Sequence, residues 1–155
     1  MDSAPATSIE VRELSREHLD AVMRIDTLHT GERKPRYWRR VFDEFLAADA
    51  EGRVGLVAEI DTGVIGYLLG EVRAFEFGSE ACGWLFSVGV DPAQARSGVA
   101  SALLEHACER FRRLGVTRVR TMVGRNDVAV LSFFRANRFT GGSFVQMERE
   151  LEGES

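Results

Sequence analysis

A chain of 155 residues, 45% apolar and carrying a net charge of −4, has the size of one ordinary domain and should bury roughly 68–70% of its unfolded surface. The acidic balance argues against a general nucleic-acid binder, which would carry a basic patch and a high pI. No run approaches the roughly 18 consecutive apolar residues of a membrane span, and residues 1–8 lack the apolar core of a signal peptide, so a soluble cytoplasmic protein with a flexible N-terminus is expected.

The first strand is expected at residues 9–14, where Ile9 and Val11 alternate with Glu10 and Arg12. Ser15 then suits a helix cap, and Leu19, Val22 and Met23 share one helical face. The polar run 29–34 stops that helix, and Pro35 suits the first turn of a second, whose buried stripe is Trp38, Val41, Phe42 and Phe45. Residues 55–60 and 64–75 around Asp61-Thr62-Gly63 read as a β-hairpin, and 81–90 as a strand ended by Asp91-Pro92.

From 98 to 114 the spacing of Val99, Leu103, Ala107, Phe111 and Leu114 is helical, with Gly115 fitting the position after the last turn. A strand at 119–124 follows, then a helix over 128–136 capped by Asn126-Asp127, then an alternating strand at 143–151. Neither a repeat nor a Pro/Gly-rich linker divides the sequence, so residues 1–155 form one α/β domain with helices on both faces of a mixed sheet.

Charge is unevenly spread. Residues 41–80 hold nine acids and two bases, whereas 92–126 hold seven arginines and two acids. Solvated faces account for this as they stand; the functional alternative is a cationic ligand near the first half and an anionic one near the second. Cys82 and Cys108 lie in apolar runs without metal-ligand spacing, so buried reduced thiols are expected and no metal.

The chemically informative stretch runs from Ser87 through Val88, Gly89 and Val90 to Asp91-Pro92, then through Ala95, Arg96 and Ser97 to Gly98, Val99, Ala100 and Ser101. It is a strand, a loop of small residues and the start of a long helix, whose first amides lack internal partners and face an anion at the positive end of the dipole. Small residues before a helix also occur in ordinary loops, and there is no GKS/T run to reach a nucleotide's terminal phosphates.

Val90-Asp91-Pro92, then Gly98-Val99-Ala100 and Leu103-Leu104, resemble the coenzyme A signature of the GNAT N-acetyltransferases. Asn126-Asp127, Ala129, Phe133-Phe134 and Phe139 resemble a second landmark of that family. The resemblance implies a central mixed twisted sheet of six to seven strands with about four flanking helices, and acetyl-CoA as cosubstrate. It implies main-chain pairing of Val88, Gly89 and Val90 with the pantetheine arm, and a pyrophosphate cradle from Arg96, Ser97, Gly98, Val99, Ala100 and Ser101. Asn126 and Phe133 join the cofactor-binding set, and the Val88 amide is the oxyanion donor.

Departures from the family pattern fall on the catalytic positions. Phe134 occupies the slot of the tyrosine acid, Met122 a slot where some relatives carry a glutamate base, and Arg96 and Arg138 slots that hold glycine. A base acting through water is then sought among Glu71, Glu76 and Glu80, with Glu71 on a strand beside 81–90. Ser87 is a further polar group at the cleft, and His29 and Glu32 lie in the region that shapes the family's acceptor pocket. The expected reaction is N-acetylation of a primary amine, small molecule or peptide; the alternative is a non-catalytic acyl-CoA-binding regulatory module. One strand stands after Phe139 where the family often has two, so a second subunit, in a homodimer, is expected to complete the far edge.

Overall fold

The computed structural model describes residues 8–153; residues 1–7, including most of the expected flexible N-terminus, lie outside the described part. By contacts the chain divides into two compact units, one ending at Met122 and one beginning at Val123.

The first unit is built on a five-stranded sheet in sequential order. β1 (Glu10–Glu13), β2 (Arg53–Ile60), β3 (Gly63–Arg73) and β4 (Cys82–Val90) pair antiparallel, and β5 (Val119–Arg120) lies parallel to β4. A parallel neighbour needs a crossover, and α3 (Val99–Arg113) supplies it. Between β1 and β2 run α1 (Leu19–Thr30) and α2 (Pro35–Phe45). Ser15 caps a 3₁₀ turn, Arg16–His18, that leads into α1, and Pro35 opens α2 as expected of a residue whose N–H would have no partner there.

Each face of the sheet is covered. Val57, Tyr67 and Leu69 pack with Val22, Met23, Ile25, Trp38 and Phe42 of α1 and α2, while Val99, Leu103, Leu104, Ala107 and Phe111 form the buried stripe of α3 on the other side. The end of α3 follows from sequence. Gly115 adopts φ +86°, so the Val116 amide donates to Phe111 O at 3.3 Å and the Gly115 amide to Arg112 O at 3.0 Å, the two bonds of a Schellman stop.

The second unit holds α4 (Val128–Ala136), capped by the Asp127 carboxylate, which accepts from the Val130 amide at 3.2 Å. Its end has the same Schellman pattern with an unusual residue. Arg138 takes φ +70°, the Phe139 amide donates to Phe134 O at 2.9 Å and the Arg138 amide to Arg135 O at 3.0 Å. The accompanying apolar contact is the Phe134–Phe139 ring pair, 5.0 Å between centroids.

The expectation of six to seven strands is corrected: the sheet has five among the described residues. Residues 121–124 carry no strand beyond Arg120, and 143–151 are not in a strand although they alternate. Alternation shows which way side chains point, but a strand exists only once its backbone groups have a partner edge.

Candidate active site

β4 is where the first unit opens. β5 pairs with it only at Gly83 and Trp84, and Thr121 Oγ1 donates to Leu85 O at 3.0 Å. Beyond Leu85 the side of β4 away from β3 has no strand beside it among the described residues. That edge presents main-chain donors and acceptors over 86–90, which can pair with an extended amide chain as another strand would. A β-bulge marks the same point. Leu69 opposes Ser87 whereas Gly70 opposes Leu85, leaving Phe86 as the extra residue, and bulges of this kind re-aim the strand that carries them.

Three contacts fix the open strand from behind. Gly89 pairs with Tyr67, and a Cβ at Gly89 would lie 2.5 Å from the Tyr67 ring, so only glycine admits that ring. Burial pushes the Tyr67 phenol up to about 12, with a hydrogen bond to the Ser87 side chain partly opposing the shift. His29 Nε2 donates to Val90 O at 2.6 Å, and since a carbonyl cannot donate, that nitrogen carries the proton. His29 thus clamps the end of α1 onto the end of β4.

The loop after β4 is held from α1 as well. Asp91 accepts from the Ala93 amide at 3.0 Å and from Arg24 at 3.2 Å. The amide bond first, and then Arg24, hold its carboxyl below the usual carboxylate range against the opposing effect of burial. Arg24 also donates to Val64 O at 3.3 Å.

At the end of this loop Arg96 has φ +65° and Gly98 φ +86°. Both slots hold glycine in the resembled pattern, and Arg96 takes the left-handed conformation regardless. Gly98 is the N-cap of α3 and supplies no side-chain cap to the first amides of this fifteen-residue helix. Such a terminus suits a phosphate.

The remaining expected residues separate. Val88 is 36% exposed on the open strand, and Ser97 Oγ donates to Gln94 O within the loop. Glu71 stands opposite Trp84 and near the other end of β4, and its carboxylate faces Arg73 at 3.3 Å and Arg53 at 3.8 Å. Glu76 lies 3.8 Å from Arg73, and Asp43 and Glu59 are likewise met by Arg16 and Arg12, so four of the nine acids of 41–80 lie against arginine. Asn126, Phe133 and Phe134 belong to the second unit. There Phe134 is buried and its ring meets Phe133 at 5.1 Å, and phenylalanine at the position of the family's acid has no proton to give.

Sequence reasoning missed Arg24, His29 as a clamp, and Tyr67. The contacts of Arg24 and His29 with the loop and strand bridge 67 and 61 residues, and no local pattern announces such pairs. Among the described residues there is no group of three or more His, Cys, Asp and Glu able to hold a metal ion.

The fold matches solved acetyltransferases at low identity. An aminoglycoside N-acetyltransferase, AAC(6')-Iy, solved in complex with CoA, superposes with TM-score 0.83 at 17% identity, covering 96% of this chain and 99% of that one. AAC(6')-Ih from Acinetobacter baumannii gives 0.78 at 17%, covering 94% and 100%, and a Trypanosoma brucei acetyltransferase 0.72 at 23%, covering 93% and 100%. No curated protein sequence matches the chain. The sequence profile described as the acetyltransferase (GNAT) family matches residues 19–139, from α1 through β4, α3 and α4, and the chain belongs to that family of acetyltransferases.

Proposed function

We propose that the chain is an acetyl-CoA-dependent N-acetyltransferase acting on a primary amine, with residues 1–155 working as one cytoplasmic GNAT domain. The observation that carries this reading is the open edge of β4 over 86–90 leading directly into the uncapped N-terminus of α3. An acyl-CoA has the matching chemistry: an extended diamide arm ending in a pyrophosphate. On this reading Val88, Gly89 and Val90 pair with the arm and the amides from Arg96 to Ser101 hold the pyrophosphate, while Asn126 and Phe133 stay in the cofactor-binding set on the family resemblance alone.

The reaction is a direct displacement. The neutral amine nitrogen attacks the thioester carbon, the oxyanion that develops is met by the Val88 amide, the C–S bond breaks, and the thiolate takes a proton as the amide product loses one. Glu71 is a weak candidate for the base because its carboxylate is engaged by Arg73 and Arg53 near the far end of β4; water relays the proton from the ammonium instead. No helix among the described residues is long and apolar enough to cross a membrane, in keeping with a soluble enzyme.

A second reading, a non-catalytic acyl-CoA-binding regulatory module, is favoured by one observation, the buried Phe134 at the acid position. Release of free CoA from acetyl-CoA across a panel of primary amines separates the two. Turnover with at least one amine is expected; tight acetyl-CoA binding without turnover on any amine would establish the module. Phe134→Tyr sharpens the test: a hydroxyl that reaches the thiolate alters the rate at high pH, and an unchanged profile leaves position 134 as core alone.

A further inference from the structure

We propose that the outer face of α2, with the loop before it, docks an acidic peptide whose terminal amine is the acceptor. The role of the amine rests on the acetyltransferase reading above; the acidity of the peptide rests on charge. Residues 31–40 hold five bases, Arg33, Lys34, Arg36, Arg39 and Arg40, against the single acid Glu32, in a chain whose net charge is −4.

Lys34 is taken up within the fold, its Nζ lying 3.4 Å from the Asp26 carboxylate. The four arginines are all exposed, and among the described residues none of them forms an ion pair. Arg33 reaches Met23 Sδ at 3.9 Å, and Arg40 lies over the Tyr37 ring at 5.9 Å. Of the acids one turn on, Asp43 is held by Arg16 at 2.9 Å, and Glu44 is in no ion pair among the described residues. Elsewhere in the first unit arginine does find a carboxylate, as Arg12, Arg24, Arg53, Arg73 and Arg110 show. Helix stability does not account for the difference. Arg36 and Arg40, four apart, repel one another, and bases near the first turn oppose the helix dipole. An exposed face with one sign of charge in excess favours a partner of the other sign.

The same helix flanks the open part of β4. Tyr37 meets Trp38 edge-on at 5.2 Å, Trp38 meets Tyr67 at 5.4 Å, and the Tyr67 ring fills the space where Gly89 lacks a Cβ. At its other end α2 sets Phe45 against Phe86, the bulged residue, at 5.8 Å. An acceptor that approaches residues 86–89 from this face therefore lies beside α2 and its arginines. Spacing favours an extended chain over a compact anion. Arg36 and Arg40 stand about 6 Å apart along the axis at about 1.5 Å per residue, and alternate side chains of an extended peptide stand about 6.6 Å apart at about 3.3 Å per residue. Acidic residues at alternate positions can meet both guanidiniums at once. The acceptor is then anionic around its amine, the reverse of what the acids of 41–80 suggest by count.

Two short peptides with a free N-terminus and a C-terminal fluorophore separate binding from turnover, one with glutamate at its second and fourth positions and one with glutamine there. Fluorescence anisotropy with the full chain is expected to show the glutamate peptide bound about tenfold more tightly, the factor that two exposed ion pairs supply together. CoA release from acetyl-CoA should favour the same peptide. The margin should shrink on raising the salt to about 1 M, where the screening length is about 3 Å. Arg36→Glu with Arg40→Glu, confirmed as folded by circular dichroism, should turn the preference toward a peptide with arginine at those two positions. Arg112→Gln with Arg113→Gln is the control, since both lie on α3 beside Glu109, and it should keep the preference for glutamate. Equal binding of the two peptides overturns the proposal even where amines are acetylated. A preference that survives the reversal on α2, or that the control on α3 removes, overturns it as well. Tighter binding of the glutamate peptide with no CoA released upholds the docking surface and overturns the acetyltransferase reading instead.

Discussion

Replacing Gly98 with valine tests the proposed phosphate site at the residue where sequence and geometry coincide. Gly98 sits at φ +86°, a conformation that costs an L-residue roughly 1–2 kcal/mol, with a β-branched side chain at the upper end. A Cβ there meets no protein atom within 4 Å, so no steric term is added. Loss of glycine's freedom in the unfolded chain returns about 0.4–1 kcal/mol. The net loss is about 1 kcal/mol, or roughly 2–4 °C in Tm for a chain of this size, and the protein stays folded. Relief of the strain comes through rotation of the loop, which turns the Val99 and Ala100 amides away from one ligand position. One lost charge-assisted bond is worth about 1.5–3 kcal/mol, so acetyl-CoA affinity should fall roughly tenfold to a hundredfold. Arg96→Ala is the comparison: a single exposed charge is worth up to about 1 kcal/mol. Calorimetric titration with acetyl-CoA, alongside circular dichroism, reads both quantities. A folded Gly98→Val protein that binds acetyl-CoA at wild-type strength would refute the site.

Arg138 occupies the left-handed position of the α4 stop at φ +70°. Arg138→Gly removes that strain at the cost of extra unfolded-state freedom, and should raise the stability by about 0.5–1 kcal/mol, read as a higher urea midpoint. Tyr67 supplies the pH test: its phenol, ordinarily near 10, is raised to about 12 by burial. The folded state therefore favours the protonated form, so its contribution is whole below pH 10 and is lost as the pH climbs toward 12. The urea midpoint of the wild type should fall through that window, and in Tyr67→Phe this part of the fall should be missing.

Legibility in the sequence tracked the range of the interactions. The helix over 128–136 and its cap at Asp127 were recoverable because a cap is a contact over three residues, and the stop at Gly115 because a left-handed C-terminal position selects glycine. The same rule read backwards misleads at Arg96 and Arg138. Each departs from the glycine of the family pattern, yet each backbone adopts the glycine conformation, so the geometry was kept and the residue type concealed it. The bulge at Phe86 had no local signal, being set by the register against Leu69 and Gly70. Glu71 looked like an available carboxylate, because Arg53 reaches it only once β2 and β3 have paired. Residues 143–151 show the remaining limit, for alternation specifies two faces but not the chain that covers them.

Loss of both familiar acid and base positions bears unequally on the two proton transfers of the proposed reaction. A departing thiolate belongs to a thiol with a pKa of about 8.5 and leaves without much help near neutral pH, so the buried phenylalanine at 134 removes a modest aid. The attacking nitrogen has the harder task. Near pH 7.4 a lysine amine with pKa about 10.4 is neutral in roughly one molecule in a thousand, whereas an α-amino group with pKa about 7.7–8.0 is neutral in roughly a quarter. An enzyme with a strong base can erase that difference by taking the proton within the complex. One that leaves the proton to water, with Glu71 held by two arginines, passes the difference into its rates. Acceptors with depressed amine pKa values, whether peptide N-termini or amines beside electron-withdrawing groups, would then outrun lysine side chains by about two orders of magnitude at equal binding. Specificity of this kind is set by the acceptor's own chemistry as well as by the shape of the cleft, and it follows from what is missing at positions 122 and 134.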